Sequence, residues 1–110
     1  MSKEWSELSD VEKARVFAAE GNPNSVMSMI RRGALDELPE VEQRRLFAQS
    51  LTAAADIRDR HSSAGIYSTQ EWTDVGLQEA GSFQSSRLRA KSLEVLLNPD
   101  GKNLVDQLDY

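Results

Sequence analysis

Hydrophobic residues recur along most of this chain at spacings of three and four, the period of an amphipathic helix, and one such segment occurs twice. Residues 7–18 return as residues 37–48, with Glu, Leu, Val, Glu, Arg, Phe and Ala in the same register. The match indicates that one unit, a loop leading into an amphipathic helix, is used twice against one core. No segment alternates apolar and polar residues in the manner of a strand. The sequence therefore predicts an all-α fold, a compact bundle of five or six helices in a single domain over residues 1–110.

Start and stop signals divide the N-terminal part into two short helices. Ser9 and Glu12 have the spacing of a capping box, which predicts a helix that begins there and ends near Gly21. Pro23 fits the first position of a second helix, where its missing N–H is not needed, and Gly33 fits the end of that helix. We expect these two helices to form a hairpin.

The second copy of the repeat opens a longer predicted helix, from Pro39 to about His61. Small residues then predict a flexible loop near residues 61–67. A second capping-box candidate at 68–71 predicts a further helix that contains Trp72, and the stretch 82–97 predicts another. The apolar content of 82–97 is wide enough to suggest burial on more than one side.

A strong turn at 98–101 separates the last predicted helix from a short amphipathic tail, residues 102–110. Leu104, Val105 and Leu108 are spaced for a short closing helix. Two interpretations remain open from the sequence. The tail packs on its own domain, or it contacts a neighbouring subunit.

Composition excludes several classes of function. The 110 residues include no Cys, which removes disulfides, thiol nucleophiles and thiolate metal sites and fits a reducing compartment. No apolar run approaches the roughly 20 residues of a membrane span, and residues 1–20 lack the pattern of a secretory signal. A cytoplasmic location without membrane attachment is expected. The net charge of −5 argues against direct binding of nucleic acid.

The sequence contains few residues that are candidates for a catalytic role. His61 is the single histidine of the chain, so triads, histidine dyads and most transition-metal sites lack their parts. Asp56 and Asp59, and likewise Glu71 and Asp74, are carboxylate pairs three residues apart, but neither pair has apolar neighbours that would raise a pKa. We therefore predict no catalytic residues, no metal site and no cofactor, and that the protein is not an enzyme.

A compact acidic helical domain without such chemistry is most often a protein-interaction module. The hypothesis from the sequence is a small adaptor, regulator or inhibitor of a larger protein, of a size common among bacteriophage and other accessory proteins. Its partner would be a basic protein, such as one that binds nucleic acid, whose surface the acidic segments would block. The candidate partner-binding residues are the acids of the two repeated segments and the two tryptophans: Glu7, Asp10, Glu12, Glu37, Glu40, Glu42, Trp5 and Trp72.

Two alternatives belong to other classes. In the first, the protein is a structural or self-assembling subunit that forms a homo-oligomer or a larger particle through the hydrophobic surplus at 88–97 and the tail. In the second, the segment around Gly21 resembles a helix-turn-helix. That resemblance implies DNA binding, with polar residues of the second helix in a groove and Arg31 and Arg32 near phosphates.

Overall fold

The computed structural model describes residues 4–63 and 77–108, and side chains in 4–60 and 85–108. These residues form four α-helices, which are α1 (Asp10–Ala19), α2 (Pro23–Arg31), α3 (Glu40–Ser63) and α4 (Leu77–Leu97). Two short 3₁₀-helices, Trp5–Glu7 and Leu104–Gln107, precede and follow them. The described residues contain no strand, which confirms the all-α prediction.

The predicted helix starts in the N-terminal part are confirmed. The Ser9 hydroxyl accepts a hydrogen bond from the Glu12 amide at 3.1 Å, and the Glu12 carboxylate accepts one from the Ser9 amide at 3.0 Å. This capping box satisfies two amides that lack a partner inside α1. Pro23 is the first residue of α2, and the side chain of Asn22 caps it by accepting from the Ser25 amide at 3.2 Å.

The two copies of the repeat open α1 and α3 at equivalent residues, Asp10 and Glu40. Their burial then differs. Phe47 of the second copy is fully buried, whereas Phe17 of the first lies at the edge of the core. Both copies bury the next alanine, Ala18 or Ala48. The repeat therefore describes how each helix begins rather than a symmetric pair of core positions.

Helix α3 lies at the centre of the fold, with α1, α2 and α4 all packed against it. Its side chains Phe47 and Leu51 are fully buried, as are Val26 of α2 and Leu35 of the following turn. Burial of such side chains is the main stabilising term of a helical domain of this size.

Helices α3 and α4 run antiparallel, because residues early in one contact residues late in the other. Arg44 donates to the Val95 carbonyl at 2.9 Å, and the Ser92 hydroxyl donates to the Ala48 carbonyl at 3.0 Å. Toward the other end of α3, Asp59 accepts from Ser85. The buried residues of α4 form one stripe at spacings of three and four: Ser85, Leu88, Ser92 and Val95.

Three expectations differ from the structure. The described residues contain four α-helices and not five or six, because α4 runs unbroken from Leu77 through residue 82, where a separate helix was predicted to begin. Gly81 costs about 1 kcal/mol relative to Ala, which is too little to end a helix of 21 residues. Residues 61–63 of the predicted loop form the last turn of α3, since each added residue gains a hydrogen bond, and 64–67 lie outside the described residues.

The third difference concerns which side chains of α4 are buried, and the tail shows the opposite behaviour. Leu93, Leu96 and Leu97 are exposed, so α4 is not buried on more than one side over residues 85–97, where its side chains are described. In the tail, by contrast, Leu104, Gln107 and Leu108 are buried against the domain. The described part of the tail therefore packs on its own chain.

Candidate protein-interaction surface

Three of the six candidate carboxylates make contacts within the chain. The Glu12 carboxylate belongs to the capping box of α1. Glu40 accepts a hydrogen bond from the Leu104 amide at 3.1 Å, and its other oxygen lies 3.6 Å from Arg44 Nη2. Glu42 forms an ion pair with Arg45 at 2.9 Å. The Glu12 carboxylate therefore stabilises the start of α1, Glu40 binds the tail, and Glu42 pairs with Arg45 within α3.

The other three candidate carboxylates are exposed and lie on separate elements. Glu7 is in the first 3₁₀-helix, Asp10 opens α1, and Glu37 lies in the turn before α3. None of them makes an ion pair with another described residue. They contribute negative potential to the surface but do not converge on one binding site.

Trp5 is 47% exposed, so about half of its surface reaches solvent. Its ring meets Phe17 edge to face, with centroids 5.3 Å apart, and Lys13 Nζ lies 5.6 Å from its centroid. A tryptophan held in this way keeps an open face that a partner could cover. The second candidate, Trp72, lies outside the described residues.

The carboxylate pair on α3 is joined to α4 by Arg89. Its Nη2 lies 2.8 Å from Asp56 Oδ1 and 2.5 Å from Asp59 Oδ2, and the Ser85 hydroxyl donates to the other Asp59 oxygen at 2.6 Å. The Ser85 hydrogen bond, followed by that from Arg89, lowers the pKa of Asp59, and the carboxylates raise the pKa of Arg89. A carboxylate stabilised as the anion, as Asp59 is, makes a poor general acid. The contacts of Asp56 and Asp59 with Arg89 instead connect α3 to α4.

The buried polar centre of the fold is Arg44, which holds the tail. Arg44 is 7% exposed, and its guanidinium donates to the Val95 carbonyl, the Gln107 side chain and the Lys102 carbonyl. Asn98 completes the turn by exchanging two hydrogen bonds of 2.9 Å with the Lys102 backbone. Both Nη atoms of Arg44 therefore have acceptors inside the protein, which indicates a structural role.

The exposed apolar surface of the described residues is richest at the end of α4. Leu93, Leu96 and Leu97 are 58%, 47% and 73% exposed, and they lie within five consecutive residues. We call these three residues the α4 leucine face. The sequence pointed to the apolar surplus at 88–97, in which these leucines lie, but did not show which of its residues are exposed. With Leu88, Ser92 and Val95 buried against α3, Leu93 and Leu97 lie on the opposite side of the helix.

A groove beside Leu96 separates α4 from the end of α1. Its volume is about 510 Å³, and it shares Ala19, Ala53 and Asp56 with a neighbouring hollow of about 390 Å³. Small side chains of α1 and α3 form much of its lining, and Arg45 and Asp56 add charge. Such a groove can receive an apolar side chain, but it brings together no catalytic constellation.

The polar residues that resemble a helix-turn-helix divide between two roles. Asn22 and Ser25 form the cap of α2. Ser28, Arg31 and Arg32 are exposed on α2 and at its end. The exposed set is small, and it lies in a chain of net charge −5.

The described residues hold no group of three or more side chains placed to bind a metal ion. No helix among them combines the length and apolarity needed to cross a membrane. Comparison of the chain with models of protein families, with curated proteins and with solved structures finds no match.

Proposed function

We propose that this protein is a small, non-enzymatic protein-interaction module that acts in the cytoplasm and binds a larger protein through the α4 leucine face. The observation that carries the proposal is the exposure of Leu93, Leu96 and Leu97 on a helix that packs against α3 through Leu88, Ser92 and Val95. Clustered exposed leucines lose contact with water when a partner covers them, and this supplies the binding energy. The adjoining groove supplies a recess for a partner side chain.

Charge supports a basic partner, as the sequence suggested. The net charge of −5 includes the exposed carboxylates of Glu7, Asp10 and Glu37. Exposed charges mainly raise the association rate and select against partners of like charge, whereas buried apolar contacts determine the dissociation rate. An inhibitor or regulator of a basic nucleic-acid-handling protein, including one encoded by a bacteriophage, fits this division of roles.

The test is affinity capture from nuclease-treated host lysate, read by mass spectrometry, with the wild type and three variants. Leu93→Ser with Leu97→Ser removes most of the leucine face, and we expect it to abolish capture of the main partner. Glu7→Gln with Glu37→Gln should slow association with a smaller loss of affinity. The matched control is Val41→Ser with Val105→Ser, which changes two valines that are 52% and 59% exposed and lie off α4.

Equal capture by the wild type and the leucine variant would contradict the proposal. Loss of capture by the valine control alone would place the contact surface around α3 and the tail. Loss only in the glutamine variant would return the site to the acidic segments.

A further inference from the structure

Two residues of the α4 leucine face, Leu93 and Leu97, belong to a longer exposed stripe, whereas Leu96 lies beside the groove. Ser86, Ala90, Leu93 and Leu97 follow one another at spacings of four, three and four, so they share one side of the helix. All four are exposed. The buried residues of α4 lie on the opposite side, against α3.

Charges of opposite sign flank this stripe on one side. Arg87 and Glu94 are seven residues apart, which places them on the same side of the helix, two turns from each other. Arg87 is exposed and makes no ion pair with another described residue, and Glu94 contacts Lys91 at 3.2 Å. Along the helix, the stripe therefore changes from a small residue, Ala90, to a large one, Leu93. Its flank changes from basic at Arg87 to acidic at Glu94.

We propose that α4 pairs in antiparallel fashion with α4 of a second copy of this chain. In an antiparallel pair related by a two-fold axis, the same flank of each helix faces itself in reverse order. Ala90 of each copy then lies against Leu93 of the other, small against large, and Arg87 lies beside Glu94 twice. One surface thus supplies both halves of a complementary contact, which is the property a self-pairing face needs.

The size of the surface determines the strength of the pair. From Ser86 to Leu97 the helix is about 18 Å long and about 10 Å wide, so the stripe covers about 180 Å² on each copy. A stable interface takes about 800 Å² from each partner. The dimer is therefore weak and reversible, in keeping with a core that is complete without a partner. This inference rests on the proposed function, since it uses the same leucine face.

Sedimentation of the full chain from about 10 µM to 1 mM tests the proposal, because we expect the dimer to have a dissociation constant within this range. We expect a concentration-dependent rise in mass toward the dimer. Arg87→Glu or Glu94→Arg alone should weaken the dimer about three- to tenfold, and the two together should restore it. Arg31→Glu and Glu37→Arg are matched controls, because they change net charge equally at exposed positions off α4.

Cysteine cross-linking tests the register independently. The chain contains no Cys, so Ala90→Cys introduces a single thiol. In the antiparallel register this residue lies near its own counterpart, within the Cα separation of about 4.4–6.8 Å that a disulfide needs. We expect rapid formation of a covalent dimer, whereas Ser28→Cys on the exposed side of α2 should remain monomeric.

A chain that stays monomeric to about 1 mM would overturn the inference. A dimer that neither single charge reversal weakens, and that Ala90→Cys does not cross-link, would overturn it as well. The failure of the proposed function is a separate result: partner capture that survives Leu93→Ser with Leu97→Ser contradicts that function whatever the mass of the protein. Monomeric protein with leucine-dependent capture contradicts the self-pairing alone.

Discussion

The buried guanidinium of Arg44 shows how one position acquires a role that its sequence context does not reveal. In the repeat it stands where the first copy has Ala14, and both residues are buried. Ala14 fills a small space in the core, whereas Arg44 binds two backbone carbonyls and the Gln107 side chain. A buried charge that is fully hydrogen-bonded is costly to disturb, because its partners are left without water or a donor.

Arg44→Met should therefore lower the free energy of unfolding by about 2–4 kcal/mol, since the acceptors of the tail lose their donor while the volume is nearly kept. Chemical denaturation followed by circular dichroism measures the change. The neighbouring Arg45→Met is the control. Arg45 is 64% exposed at its side chain and pairs with Glu42, so its loss should cost less than about 1 kcal/mol. Equal effects at the two positions would refute the structural role of Arg44.

The candidate carboxylates divide by the range of their contacts. Glu12 and Glu42 bind partners three residues away, Ser9 and Arg45, and spacing of this kind is legible in a sequence. Glu40 binds the Leu104 amide, 64 residues along the chain. The sequence analysis placed all six acids among the candidate partner contacts. In the structure, Glu12, Glu40 and Glu42 instead contact other residues of the same chain.

At the scale of elements, the turn between α1 and α2 is set by close contact with α3. Gly21 has φ of +73°, and a Cβ at this residue would lie 2.8 Å from the Ala54 nitrogen and 2.9 Å from Ile57 Cδ1. The sequence predicted a glycine stop for α1 from local rules. The second requirement, space for the α3 backbone, arises only when the two helices pack.

Gly21→Ala should reduce the free energy of unfolding by about 3 kcal/mol, which combines the strain of positive φ with overpacking. Gly101→Ala is the matched comparison, because Gly101 has φ of +63° but its added Cβ would meet no atom within 4 Å. There we expect a loss of about 1 kcal/mol from backbone strain alone. Thermal and denaturant unfolding give both values, and similar losses would mean that α3 does not restrict the turn.

Helix α4 illustrates the same distinction through its faces. Its apolar residues outnumber those that one buried stripe can hold, and the sequence alone does not say which stripe faces α3. The polar contacts of Ser85 and Ser92 with α3 settle the question, since they orient α4 with Leu88 and Val95 inward. The leucines then face outward by helical geometry.

At the scale of the whole molecule, the C-terminal residues complete the domain while the end of α4 remains open. Leu104 and Leu108 are each 1% exposed, and Leu93 and Leu97 are more than half exposed. These four leucines lie close in sequence and have the same side chain. They therefore form an internal comparison between packing and surface.

Leu104→Ala should cost about 2–5 kcal/mol of unfolding free energy through lost burial and a residual cavity. Leu97→Ala should change it by no more than about 0.5 kcal/mol, because its side chain is 73% exposed. Denaturant titration of the two variants measures the difference. No loss for Leu104→Ala would show that the tail is not part of the core, and a large loss for Leu97→Ala would show that the Leu97 side chain is packed and not exposed.

The sequence by itself determined the helical class and the beginnings of the helices, because caps, glycine stops and the 3.6-residue period act over a few neighbouring residues. It also identified the repeat that opens α1 and α3 at equivalent residues. Only the tertiary structure decided that Arg44 holds the tail, that Glu40 binds the Leu104 amide and that Leu93 and Leu97 face outward. These outcomes depend on contacts between residues 26 to 64 positions apart, which no local pattern specifies.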